Sequence, residues 1–397
     1  MKTLIALTLS LFLTVSVQAA PKAAGGDAPG AEKAAAAKDA AAEKKGGKKG
    51  KGQNRKKGKQ DNRAEPQDPT DALLAQDQHT DDLLAIDGVV GTGVSWDRSG
   101  NPVIKVYTNK GGKKGPDVPA SLDGITVRAE NIGNVYALNI SCENRSNGKD
   151  GGCKGLQDTP KQSGDGSSEP LSPSEWHERP VPIGVSIGAS SVDSNAPATL
   201  GCRVSAGCHS YVLTNSHVAG EAVVAQPAAI DGGAADDAVA NLYQATSIDY
   251  SFTANNVVDA AIFDVVNGKA VDTATRADGY GKPKAFTRSA ELDLDVQKYG
   301  RTTALTNGYI DAINVTIIVN YESGPARFVD QLVIKSDDTG ADFALPGDSG
   351  ALVVADGGDD DRMPIGLLFA SGKRVAVANP IDDVLNELGI NIDGDFE

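Results

Sequence analysis

The chain has 397 residues, 40% of them hydrophobic, with 38 Lys plus Arg against 53 Asp plus Glu and a net charge of −15. That length holds two or three domains, and the apolar fraction excludes a wholly disordered chain. The charge is an average over unlike parts: Ala20 to Arg63 carries 13 basic and 5 acidic residues, so the remainder is strongly acidic. A body of that sign repels polyanions, and no specific nucleic-acid role is expected of it.

In chain order, residues 1–19 read as a secretory signal peptide. Lys2 gives the positive end, Leu4 to Val17 the apolar run and Val17-Gln18-Ala19 the small-residue cleavage pattern. The run is shorter than the roughly 20 residues a spanning helix needs, so no membrane span is expected and the mature protein is predicted to be secreted, extracellular or periplasmic. Residues 20–69 are Ala, Lys and Gly without apolar periodicity, which predicts a disordered basic segment. Its two readings are a solubilising spacer and a contact with an anionic surface polymer.

Residues 70–142 predict a small α/β domain. Thr70 is placed as the N-cap of a helix over Asp71 to Ala85, with Leu73, Leu74, Leu83 and Leu84 on one stripe and Gly88 as its stop. Strands follow at Val89 to Trp96, Val103 to Thr108, Ile125 to Ala129 and Val135 to Ile140, with a short helical turn at Pro119 to Leu122. Residues 143–182 are rich in Gly, Ser and Pro and read as a linker, in which the lone His177 is expected to face solvent.

Residues 183–397 read as about eleven short strands broken by Gly-rich turns, which argues for a closed barrel or sandwich. One helix stands out near the end, with Asn379 as its cap, Pro380 at its first position, Asp382 and Asp383 in the first turn and Gly389 as its stop. Four cysteines fall as two close pairs, Cys142 with Cys153 and Cys202 with Cys208, the pattern of two local disulfides in an oxidising compartment. Their spacing lacks the paired pattern of a zinc site. The acidic run Asp356 to Asp361 reads as a solvated hairpin tip, with a calcium loop as the alternative. No motif calls for a cofactor or a resident metal.

Three local patterns carry chemistry. Tyr211-Val212-Leu213-Thr214-Asn215-Ser216-His217 is an apolar strand that delivers a histidine at its end; Val258-Asp259-Ala260-Ala261-Ile262 sets an aspartate before a buried strand; Pro346-Gly347-Asp348-Ser349-Gly350 holds a serine in a tight glycine turn. A serine hydroxyl is a weak nucleophile until a base takes its proton, and that base needs an acceptor to fix its tautomer. His217 and Asp259 supply those roles for Ser349, with Asp249 and Asp264 as less regular alternatives for the acid. The Gly347 and Ser349 amides are the candidates to hold an oxyanion.

The order His217, Asp259, Ser349, the Leu-Thr-Asn-Ser-His and Gly-Asp-Ser-Gly motifs and the strand count resemble the trypsin-like, chymotrypsin-fold serine proteases. Tyr299-Gly300-Arg301-Thr302-Thr303, the closing Ala378-Asn379-Pro380-Ile381-Asp382-Asp383 and the segment Gly88 to Val94 are similar to a bacterial secreted branch with a small N-terminal domain. The resemblance implies a mainly β protein: a chymotrypsin-like double β-barrel, with the triad at the barrel junction, preceded by a small α/β domain and a disordered basic N-terminal segment. It implies a serine endopeptidase acting on polypeptide substrates, the alternative being an inactive scaffold that serves in binding or adhesion.

Two departures from the animal digestive pattern bear on mechanism. Arg179-Pro180 is a poor activation bond, so Asp348 needs a partner other than a new N-terminus. The residue six positions before the serine is Phe343, which gives no support to a preference for basic side chains. Phe343, Phe369 and Ser371 are the candidate substrate-binding residues, the last two on a strand resembling the one that pairs with substrate backbone. A further reading makes residues 70–142 an inhibitory prosegment over the cleft.

Overall fold

The computed structural model describes residues 66–112, 115–138, 171–189, 197–219, 223–266 and 270–396. The signal peptide, nearly all of the basic segment, Cys142, Cys153 and most of the linker lie outside the described residues. The chain is mainly β, as the sequence predicts. Helix α1 (Thr70–Leu84) leads into strands β1 (Val89–Trp96), β2 (Pro102–Thr108), β3 (Ser121–Leu122), β4 (Ile125–Asn131) and β5 (Val135–Ala137). A second group comprises β6 (Val181–Ile183), β7 (Ser186–Ala189), β8 (Ala198–Thr199), β9 (Cys202–Ala206), β10 (His209–Thr214), β11 (Val223–Ala225), β12 (Ala238–Ala245), β13 (Ala261–Val265) and β14 (Val271–Thr275). The third holds β15 (Asp295–Gly300), β16 (Ala304–Tyr321), β17 (Gly324–Ser336), β18 (Leu352–Ala355), β19 (Pro364–Gly372) and β20 (Val375–Pro380), followed by α2 (Ile381–Leu388) and β21 (Asn391–Ile392).

The third group closes on itself: β15, β18, β19, β20, β17 and β16 pair in that order, and β16 returns to β15. Closure removes the open edges of the sheet, and Val296, Ile310, Ile334 and Val353 fill the interior. The second group runs β9-β10-β13-β12-β11-β7-β8. Leu200 and Gly201 join β8 to β9 and donate to the Val185 and Leu213 carbonyls, which brings the ends of that path together round a core of Val204, Val212, Ile262 and Phe263.

The segment before the barrels is not a separate layer. Strands β16 and β17 run past their barrel as a long arm, bent by irregularities between Ile310 and Ile317, with Asn314 and Asp330 at positive φ. Strand β1 pairs with this arm, so β1, β2, β4 and β3 extend the barrel sheet outward. The glycine spacing of Gly91 and Gly93 has its cause here: a Cβ at Gly91 would lie 2.7 Å from the Thr316 carbonyl oxygen, and one at Gly93 2.8 Å from a Val315 methyl. Helix α1 covers the sheet through Ala72, Leu73, Ala75 and Leu83. Gln76 is buried beneath it and tied to Thr92 and Asn314.

Five expectations are corrected. Thr70 is the first residue of α1 and not its cap; Pro69 stands at the cap position and no side chain caps the helix. Cys202 and Cys208 are both free thiols. In the β9/β10 hairpin Cys202 pairs with Leu213 while Cys208 sits at the turn beyond Ala206, so the strand length of roughly 3.4 Å per residue holds the two too far apart to bridge. Residues 119–122 form no helical turn; Asp123 and Gly124, both at positive φ, make a tight hairpin between β3 and β4. His177 is buried, its Nε2 3.1 Å from the Ser172 carbonyl and its amide donating to Gln226. Asn379 does not cap α2, which starts after Pro380; its side chain serves the site below.

Candidate active site

Register decides where the polar residues meet. Strands β10 and β13 are antiparallel with Thr214 opposite Ala261, so the residues just after Thr214 and those just before Ala261 emerge at one rim. Asn215 to Val218 leave β10 in a single turn of 3₁₀ helix, and Asp259 enters β13 from the other side. The Asn215 amide donates to the Asp259 carbonyl at 2.7 Å and the His217 N–H to Asp259 Oδ1 at 3.0 Å. Asn379 Oδ1 accepts the Asp259 N–H at 3.1 Å. The carboxylate is thereby aimed at the imidazole: Asp259 Oδ2 lies 2.5 Å from His217 Nδ1.

Ser349 reaches the same point from the other barrel. Its turn is stapled across the junction by the Thr199 N–H on the Ser349 carbonyl (2.7 Å) and the Thr199 hydroxyl on the Gly347 carbonyl (2.8 Å). Gly347 and Gly350 both have positive φ, and a Cβ at Gly350 would lie 2.2 Å from the Thr214 hydroxyl. Ser349 Oγ is 2.5 Å from His217 Nε2 and 2.8 Å from Asn215 Oδ1. One hydroxyl proton serves one acceptor at a time: His217 Nε2 takes it when the ring is neutral, and Asn215 when the ring is charged and itself donates. The structure thus brings His217, Asp259 and Ser349 into one connected chain. Asp249 and Asp264 stay out of it: Asp249 bonds Asn256 and Asp264 lies within β13.

Sequence reasoning missed Tyr321, at the far end of β16. Its hydroxyl donates to Asp259 Oδ2 at 2.9 Å, and its ring meets the imidazole edge-on with centroids 5.7 Å apart. Burial, together with the Asp259 charge, pushes the phenol well above its ordinary value, so it stays a donor. As a positioning residue, Tyr321→Phe is expected to lower kcat/KM about tenfold, the worth of one charge-assisted hydrogen bond. Steady-state kinetics of the two proteins on one peptide substrate check this.

Asp348 has the partner its neighbours in sequence require. Its carboxylate accepts from the Thr302 N–H (2.8 Å), the Thr303 N–H (3.2 Å), the Thr303 hydroxyl (2.7 Å) and the Leu345 N–H (3.0 Å). The fully buried Lys298 ammonium is 3.7 Å away and is linked through the Thr303 hydroxyl. Burial lowers the Lys298 pKa from 10.5 and the Asp348 charge partly restores it. The Gly300-Arg301-Thr302-Thr303 motif is the cup for this carboxylate, since a Cβ at Gly300 would stand 2.5 Å from Asp348 Oδ1. Arg301 pairs with Asp231 of the first barrel, a second tie across the junction.

The candidate substrate-binding residues divide. Phe369 is fully buried with its ring 4.9 Å from Phe328, so its side chain is core. Phe343 is buried in the second barrel's apolar cluster, its ring 5.8 Å from the Lys298 ammonium. Ser371 is buried in β19 opposite Tyr136 of β5. In the acidic loop Asp360 pairs with Arg288 and Asp361 accepts the Gly357 N–H; among the described residues no three acidic, His or Cys side chains converge as a metal site. No helix of the described residues is long and apolar enough to cross a membrane.

No family model and no curated protein matches the chain. Solved structures do. A glutamic-acid-specific serine protease with a histidine triad in substrate binding is 20% identical over 53% of this chain and 100% of that one, with a TM-score of 0.41. Protease A of Thermobifida fusca is 16% identical over 54% and 98% (TM-score 0.39), and a chymotrypsin of Cellulomonas bogoriensis 18% over 53% and 97% (TM-score 0.36). The likeness is one of fold. It is to chymotrypsin-fold bacterial serine proteases, at low identity and over about half of the chain.

Proposed function

We propose that the chain is a serine endopeptidase. The observation that carries this is the continuous path from Asp259 Oδ2 through the His217 ring to Ser349 Oγ, with both links at 2.5 Å. Ser349 Oγ attacks the scissile carbonyl while His217 Nε2 takes its proton; the imidazolium is stabilised by Asp259 and returns the proton to the leaving amine. Water then hydrolyses the acyl-serine with His217 as base. The Gly347 and Ser349 amides hold the oxyanion, each worth roughly 2.7–4 kcal/mol in the transition state. The Lys298-Asp348 cup keeps that turn in shape without a cleaved N-terminus. The enzyme acts on polypeptides outside the cell, with the basic segment 20–69 holding it at an anionic surface polymer.

A fluorophosphonate probe tests the central claim. Protein recovered from the culture medium is expected to carry the label on Ser349 by peptide mapping, and Ser349→Ala to carry none while keeping its circular dichroism. An unlabelled wild type without casein hydrolysis would leave a non-catalytic scaffold as the correct account.

A further inference from the structure

The Gly347 amide is already occupied, and its occupant is part of the same chain. Strand β5 lies between two strands of the second barrel, parallel to β16 (Val319 opposite Val135, Asn320 opposite Tyr136) and antiparallel to β19 (Ala370 opposite Ala137, Ser371 opposite Tyr136). The next residue, Leu138, donates its N–H to the Phe369 carbonyl at 3.1 Å, and its carbonyl accepts the Gly347 N–H at 2.8 Å. Val135, Ala137 and Leu138 are fully buried, and the Leu138 side chain belongs to the apolar cluster that holds Phe343, Ala344 and Leu368. An extended segment paired on a barrel strand, a carbonyl on the N–H two residues before the serine and an apolar side chain in a closed pocket are what a peptidase asks of a substrate.

Resting on the peptidase reading, we propose that the chain is its own first substrate, cut between Leu138 and Asn139, and that the pocket filled by Leu138 selects a medium-sized apolar residue before the scissile bond. In that step Ser349 Oγ bonds to the Leu138 carbonyl carbon and the bond to the Asn139 nitrogen breaks. His217 carries the serine proton to that nitrogen. Water then releases the Leu138 carboxylate and restores the serine. Holding the carbonyl within the chain makes the reaction first-order, with the advantage of a bound and oriented group. The cut does not free the cleft: β1 remains paired with β16 and β5 with β19, so the new C-terminus at Leu138 stays as a product-like plug until residues 70–138 depart. Strand β19 therefore acts through its backbone, and Phe369 through its carbonyl.

The test uses the full chain, wild type and Ser349→Ala, secreted from the same host and followed by intact mass and N-terminal sequencing. The wild type is expected to yield one polypeptide ending at Leu138 and one starting at Asn139, at a rate independent of protein concentration. Ser349→Ala is expected to stay joined, even when mixed with active enzyme. Acetyl-Val-Tyr-Ala-Leu-p-nitroanilide should be hydrolysed about 100-fold faster than the same peptide ending in Glu or Lys, because the apolar pocket leaves a charge unpaired. Fluorophosphonate-labelled Ser349 in a chain left whole, a junction elsewhere, cleavage of Ser349→Ala by added enzyme or no preference for Leu would overturn the proposal alone. Failure of every species to label would remove the peptidase itself.

Discussion

Asp259→Asn is expected to lower kcat by about 10⁴-fold and leave the fold in place. The carboxamide fits the space, but it can offer its amide to His217 Nδ1 and so favour the tautomer with the proton on Nε2, which can no longer accept from Ser349. The side chain also receives the His217 N–H and the Tyr321 hydroxyl, and both require an acceptor. A neutral amide oxygen can satisfy one of them. Thermal unfolding should change little beside the rate, because Asp259 is held by backbone contacts from Asn215 and Asn379 that do not depend on its charge. Steady-state kinetics on a peptide substrate, with the melting curve as control, check the split.

Lys298→Met should act the other way, on stability first. The ion pair with Asp348 has no solvent exposure on either side chain. Removing one member of such a pair leaves an uncompensated charge and costs about 3–5 kcal/mol, on the order of 10 °C in melting temperature for a chain this size. Activity falls as well, because Asp348 sits between Gly347 and Ser349 and orients both amides. The wild-type protein carries a related pH signature. The folded Lys298 pKa lies below 10.5, so in the window between the two values the unfolded chain binds more protons and stability rises with pH. In the same window the folded protein loses the cation that faces Asp348. The expected result is an alkaline loss of activity without unfolding, read by rate and circular dichroism on the same samples.

The residues that announced themselves in the sequence did so through short-range signals. His217 and Asp259 stand at strand boundaries, and Ser349 stands between glycines. Tyr321 and Asn379 carry no such signal, because their partner Asp259 is 62 and 120 residues away and only the barrel closure brings them together. Lys298 is the one lysine of β15, and its buried partner becomes visible only once Thr302 and Thr303 are folded round Asp348. The strands β1 and β2 were legible from their β-branched residues and the turn residues that bound them. Their attachment to β16 was not, since a strand names its face and not its neighbour. The strands β11 and β14, three and five residues long, are too brief to show a period. Cys202 and Cys208 misled because closeness in sequence is no measure of distance along an extended strand.

The arm formed by β16 and β17 also sets the order in which the molecule can be assembled. Strand β1 is synthesised more than 200 residues before the strand it must pair with, and the loop closed by that pairing contains the whole first barrel. Long-range pairing of this kind is slow, since the entropy of closing the loop is lost before any contact rewards it. The glycine-flanked edge of β1 therefore waits, unpaired and sticky, for the last third of the chain. Helix α1, which ends five residues before β1 begins, packs on the face of that strand through Leu73, Ala75 and Leu83 and so gives it a local apolar partner long before β16 exists.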